Sequence, residues 1–228
     1  VGKLLSLMLL LGLCTSPAQA EDVMPSSVTI TYAGHPQVKR FIPLIEESYR
    51  ALGIKTHMRP TPAERALIEL NQGRVEADVI RLAMLIQDFD NIVPVPPMLG
   101  EVNYLLLCQK SSPCSTDLMW DPTKTGVVSS HHVNYLQKRY QGQIKAHLYT
   151  MHMSQDPVNM LAKGRVDFAL YVWEAAQSEN QYAHQFNQIV LFQTPAYHVI
   201  NRKYAFLIPQ LSEQISKNLA ILASKGHP

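Results

Sequence analysis

Arg81 directly follows the apolar-rich run "ADVI" at 77–80. A guanidinium at the carboxyl end of a buried strand presents a planar fork of N–H donors, suited to gripping a carboxylate at two points. Ser129, Ser130 and His131 follow "TGVV", where a strand pattern gives way to a helix pattern. Hydroxyls and free backbone N–H groups at such a turn suit an anion, and Ser130 can equally serve as an ordinary helix cap. Tyr171 and Trp173 lie two residues apart at the end of "RVDFALYVW", with Glu174 next. Two aromatics at a strand end read as lining for a solute. Tyr32 closes the first strand-like run and offers another ring. Arg65 lies near the start of a predicted helix, where a cation gains nothing from the helix dipole. A carboxylate partner or ligand accounts for it better. These are donors and aromatic faces, the chemistry of holding a small molecule.

Catalytic signals are sparse. The chain has no G-x-S-x-G elbow, no H-E-x-x-H and no P-loop. His131 and Glu174 are the groups available for general acid–base work, so a lyase of the dehydratase kind is the rival enzyme class. "HLYTMHM" gathers His147, Met151, His152 and Met153. Soft Met ligands suit Cu(I), but Met is also a common core filler. No cofactor is expected. In "CQKSSPC", Cys108 and Cys114 read as a disulfide closing a small loop, with two unpaired thiols as the alternative.

The elements that must position these residues begin after a leader. "VGKLLSLMLLLGLCTSPAQA" has one cation, an apolar run from Leu4 to Leu13, Pro17 and an Ala18-Gln19-Ala20 end, the pattern of a secretory signal peptide cleaved after Ala20. The run is shorter than the roughly 20 residues that span a bilayer. Cys14 offers a lipoprotein alternative, but the bulky Leu13 before it fits poorly. Without Lys3 the basic residues nearly balance the 18 acidic ones, so neither a nucleic-acid surface nor a polybasic membrane patch is expected.

Residues 21–228 alternate β-rich runs with helix-period runs. Strands are predicted over "SVTITYAG", "IKTHMR", "VEADVIR", "VNYLLLCQ", "TGVVSS", "IKAHLYT", "RVDFALYV", "QIVLFQ" and "YHVIN". Helices are predicted over "QVKRFIPLIEESYRALG", "TPAERALIELNQG" (capped by Thr61 with Glu64), "HHVNYLQKRYQG", "SQDPVNMLAKG" (capped by Ser154 or Asp156) and from Tyr204 to about Lys225. "VPVPPMLGE" is read as irregular. This order predicts an α/β fold with mainly parallel sheets flanked by helices. "NQGRVEAD" at 71–78 and "AKGRVDFA" at 162–169 repeat a helix stop followed at once by a strand start, as two lobes of like βαβ build would.

In their order and spacing, "PAERALIELNQGRVEAD", "NIVPVPPMLGEVNYLLL", "TGVVSSHHVNYL", "NMLAKGRVDFALY" and "PAYHVINRKYAFLIPQLSEQISKNLAILASKG" resemble the periplasmic type II solute-binding proteins, in particular the polar amino-acid receptors. The resemblance implies a two-lobed fold with hinge crossovers near "LLLCQ" and "FQTPAYH". Lobe 1 would comprise 21–107 and 196–228, and lobe 2 would be 108–195. It implies a monomer that captures a small polar or carboxylate-bearing solute between the lobes and presents it to an ABC-type permease or a membrane sensor. Receptors of this kind usually carry an acid at the end of the second-lobe strand for the ligand's ammonium. Here Tyr171 or Val172 stands there, with Glu174 offset. The usual Arg beyond the first Gly-x-x-Asp strand is also missing, since Arg81 comes too early and Asp90 lies near the expected place. A carboxylate, a small peptide or another organic solute therefore fits as well as an α-amino acid.

Overall fold

The computed structural model describes residues 23–151, 156–175 and 182–224. The leader with its Ala20 cleavage site, and Ser154, His152 and Met153, lie outside the described residues. Eight strands form one sheet in the order β2-β1-β3-β8-β4-β7-β5-β6. They are β1 (Ser27–Tyr32), β2 (Lys55–Pro60), β3 (Ala77–Leu82), β4 (Ile92–Gln109), β5 (Thr125–Ser129), β6 (His147–Met151), β7 (Phe168–Glu174) and β8 (Phe186–Asn201). The helices are α1 (Pro36–Lys39), α2 (Ile42–Arg50), α3 (Ala63–Asn71), α4 (Ala83–Ile86), α5 (Asp117–Trp120), α6 (Val133–Arg139), α7 (Asp156–Ala162) and α8 (Ile208–Ser224).

Each lobe has a parallel unit. In lobe 1, β1 pairs with β2 and β3; in lobe 2, β5 pairs with β6 and β7. The long strands β4 and β8 run antiparallel to each other and through both lobes, β8 joining β3 and β4 joining β7. The sheets are thus mixed, with parallel ladders outside and antiparallel ones at the centre. Apolar clusters fill both faces. Ile30, Ile45, Tyr49 and Leu211 pack lobe 1 against α2 and α8, and Leu67, Leu70, Val75 and Val199 pack it under α3. In lobe 2, Tyr104, Met119, Leu136 and Phe168 form one cluster, and Leu107, Val127, Leu161 and Ala169 form the other.

The twin Gly-Arg-Val stretches do the same structural work. Gly73 and Gly164 both adopt left-handed backbone, φ 69° and 63°, at the position after a helix where glycine escapes the Cβ penalty. The amide of Gly73 donates to Leu70 C=O and that of Arg74 to Glu69 C=O; Gly164 and Arg165 repeat this with Leu161 and Met160. The acid that follows closes the pattern. Glu76 Oε2 accepts the Thr29 amide at 2.7 Å, and Asp167 Oδ2 accepts the Thr125 amide at 2.8 Å. Each acid satisfies a donor in the central parallel strand of its lobe, an obligatory pairing for backbone leaving water.

Four local expectations are corrected. The run 37–53 forms two helices, because Pro43 in the first turn of α2 has no N–H for the Lys39 carbonyl. Thr61 does not cap α3; its hydroxyl donates to Arg59 C=O and the helix starts at Ala63 behind Pro62. "VPVPPMLGE" is strand, the first half of β4. There β4 pairs with β8 alone, since β7 joins only from Val102, and the register slips between Val95 and Gly100. Prolines are tolerated on such an unpaired edge. "QIVLFQ" and "YHVIN" are one strand, β8. Cys108 and Cys114 form a disulfide.

Candidate functional site

A cleft of about 830 Å³ opens beyond the carboxyl ends of the parallel strands of both lobes. Ligand sites in open α/β sheets lie at this end of the strands. The lobe 1 wall comes from the turns after β1 and β2 and from the end of β3. The lobe 2 wall comes from the ends of β5 and β7. Gly100, Glu101, Val102 and Ala196 of the two long strands lie between.

Arg81, Ser129, Ser130 and Tyr171 line this cleft together. Arg81 is only 5% exposed, and its Nη2 donates to Asp78 Oδ2 at 2.5 Å. Asp78 is wholly buried and also takes the Thr31 hydroxyl at 2.6 Å. Strict strand alternation would put residues 78 and 81 on opposite faces. The ladder with β8 shifts register between them, and such a bulge re-aims a side chain. Among the described residues Arg81 Nε, which is buried, has no acceptor.

Ser129 ends β5, and Ser130–His132 form a 3-10 turn before α6. The α-helix begins only at Val133, so Ser130 is not its cap. Both hydroxyl residues make further contacts within the protein. His131 has its backbone in that turn, and its side chain lies outside the described residues. The neighbouring His132 lines the cleft and bonds the buried Tyr104 hydroxyl through Nδ1 at 3.1 Å. Tyr171 stands edge-on to Tyr182. Burial, then the nearby Tyr182, pushes its hydroxyl up to about 12, so it stays a neutral donor at physiological pH.

Three other candidates sit apart from the cleft. Trp173 is buried among Leu105, Val127 and Phe186, and its indole N–H has no partner among the described residues. Tyr32 packs on the lobe 1 core. Arg65 is exposed on α3 and donates to Glu69 Oε1 at 2.7 Å, one turn on. That bond holds the Glu69 carboxyl below the usual range. Among the described residues no three His, Cys, Asp or Glu side chains gather as a metal site. His147 is exposed on β6 against the Tyr149 ring.

The cleft also holds residues that the sequence pattern did not single out. His35 follows β1, and its Nδ1 accepts the Gln37 amide at 3.2 Å. Burial lowers the pKa of this imidazole, keeping it neutral. Arg40, between α1 and α2, forms an ion pair with Glu174 at the end of β7. A separation of 134 residues leaves no sequence signal for that pair.

This arrangement of strands and cleft recurs in solved structures. One is a histidine kinase sensor domain with similarity to periplasmic binding proteins (TM-score 0.64, 17% identity, 89% of this chain and 92% of the other). Another is the substrate-binding protein of an amino-acid ABC transporter (TM-score 0.63, 13% identity, 88% and 95%). A third is an ancestral amino-acid-binding protein, a precursor of cyclohexadienyl dehydratase (TM-score 0.61, 16% identity, 89% and 92%). The fold is that of the type II periplasmic binding proteins. No family model matches the sequence, and no curated protein matches it. What this chain shares with the periplasmic-binding-protein fold is therefore architecture: two α/β lobes, two long crossover strands and a cleft at the strand ends.

Proposed function

We propose that the protein is an exported solute-binding protein that captures a small polar or carboxylate-bearing molecule in the cleft and releases it unchanged to an ABC-type transporter. Arg81 carries this reading. Its guanidinium is buried at the cleft wall, Asp78 takes one of its N–H groups, and Nε has no acceptor among the described residues. A solute carboxylate offers the oxygens to complete that fork, since burying an unmet donor costs about 1–3 kcal/mol. Ser129, Ser130 and the Tyr171 hydroxyl supply neutral donors from the other lobe, and Val172, Leu82 and Pro60 supply apolar walls.

In this reading lobe 1 comprises residues 21–107 and 196–228, lobe 2 comprises 108–195, and the leader ends at Ala20. The likeness to a histidine kinase sensor domain supports a second partner class, a membrane sensor that reads the occupied cleft. A thermal-shift screen over organic acids, amino acids and short peptides tests the proposal, because a ligand that prefers the native state raises the melting temperature. We expect a rise confined to a few chemically related solutes, abolished in R81K. If no member of the panel shifts the transition, the receptor reading fails.

A further inference from the structure

His35 stands where β1 turns into α1, on the lobe 1 wall of the cleft. The four residues of α1 are too few to hold a helix on propensity alone. Pro36 carries no N–H, so three amides within α1 need acceptors, and His35 supplies all of them. Its carbonyl accepts the Val38 amide at 3.0 Å and the Lys39 amide at 3.1 Å, and its Nδ1 accepts the Gln37 amide at 3.2 Å. A side chain that accepts from the second residue of a helix is its N-cap. Here the acceptor is an imidazole lone pair rather than a hydroxyl or carboxylate oxygen. A neutral ring that accepts at Nδ1 carries its proton on Nε2. Val38 packs on the lobe 1 core, and Gln37, Val38 and Phe41 line the same wall of the cleft as His35.

We propose that His35 is a positioning residue of the cleft, a proton-sensitive cap: one proton on Nδ1 breaks the cap of α1 and reshapes the lobe 1 wall. The added N–H would face the Gln37 N–H, donor against donor, so the bond cannot survive in place. Either the ring swings away or the first turn of α1 opens, and both move groups that line the cleft. The charged and titratable groups that share the cleft with His35 are Arg40 after α1, Glu64 on α3, Arg81 on β3, Glu101 on β4, His132 before α6 and Glu174 on β7. Lys39, on α1 itself, is exposed. Arg40 pairs with Glu174 and Arg81 with Asp78, and burial is what lowers the His35 pKa. Accepting an N–H works in the same direction, because it favours the neutral ring. The cap is therefore complete above the ordinary imidazole value of 6.5 and is lost as pH falls through the lowered one. The consequence for solute rests on the receptor reading above; the cap itself does not.

NMR of the full chain tests the cap without any solute. The neutral His35 ring should show the Nε2–H tautomer. The Gln37 amide should be protected from exchange at neutral pH and lose that protection as the ring titrates, after correction for the intrinsic pH dependence of exchange. H35N keeps a capping acceptor without a titrating group, so its Gln37 amide should stay protected down to about pH 5, well below the ordinary imidazole range. H35A should leave that amide unprotected at every pH. Protection that persists in wild type while the ring titrates, or an H35A chain as protected as wild type, would overturn the cap. A solute found in the thermal-shift screen should bind wild type less tightly at the acid end of this range, and bind H35N equally at both ends. An affinity that rises on acidification in wild type would mark the ring as a cation for the solute and overturn its positioning role. If the screen finds no solute, the receptor reading fails while the exchange result stands.

Discussion

At the scale of single residues, two buried polar pairs decide how the protein responds to change. Arg81 and Asp78 are coupled inside lobe 1, so R81M leaves a buried carboxylate with the Thr31 hydroxyl and the Ile80 amide as its partners among the described residues. Breaking such a pair costs about 3–5 kcal/mol, and D78N/R81M should recover part of it in chemical denaturation. R81K should stay close to wild type in stability and lose solute binding, since an ammonium cannot serve Asp78 and a solute with one planar fork. The second pair is Tyr49 and His198, where the hydroxyl lies 2.9 Å from Nε2. Burial lowers the His198 pKa to about 4 against an ordinary 6.5. The unfolded chain therefore binds the extra proton first. Stability from this group is complete above pH 6.5 and falls as pH drops toward 4, by about 3 kcal/mol in all. Melting temperature against pH should show that slope, and H198N should flatten it. Arg81 was legible as a strand-end cation. Its partner was not, because the bulge that brings Asp78 to its side is a property of the ladder with β8 rather than of local spacing.

At the scale of elements, the repeated helix stop is the most transferable feature. G73A and G164A force an alanine into left-handed backbone, which costs about 1–2 kcal/mol each. A Cβ at Gly164 would meet nothing within 4 Å, so its penalty is conformational alone. Gly126 behaves differently. A Cβ there would stand 2.3 Å from the Phe168 ring, so G126A should overpack lobe 2 and lose about 1–3 kcal/mol. Denaturant midpoints measure the three losses, and NMR shifts of the Phe168 ring separate the two mechanisms, since only G126A should disturb them. The β1, β3, β5 and β7 cores and the stripe of α3 were legible because periodicity and glycine stops are local signals. The first half of β4 was not: its prolines argue against a strand until one knows that β7 leaves that edge free. The fusion of "QIVLFQ" and "YHVIN" into β8 was hidden for a similar reason, since Thr194 and Pro195 look like a turn unless β4 is alongside.

For the molecule as a whole, the disulfide adds stability within lobe 2 and the crossover strands set how the lobes hold together. Cys108 and Cys114 are six residues apart, so by loop entropy the bond contributes about 2 kcal/mol. A reductant should lower the melting temperature by about 4–8 °C, and C108S/C114S should show the same value with no further response to reductant. The order β2-β1-β3-β8-β4-β7-β5-β6 also has a consequence in time. β8 is the last of these eight strands to leave the ribosome, yet it lies between β3 and β4. Until residues 186–201 exist, the nascent chain holds a three-stranded and a four-stranded sheet, each with a raw edge and no contact between those edges. Long-range pairings of this kind are slow to form and prone to aggregate while they wait. A chain stopped before Phe186 should therefore be aggregation-prone, and the cooperative fold should appear only once residues 186–201 are available.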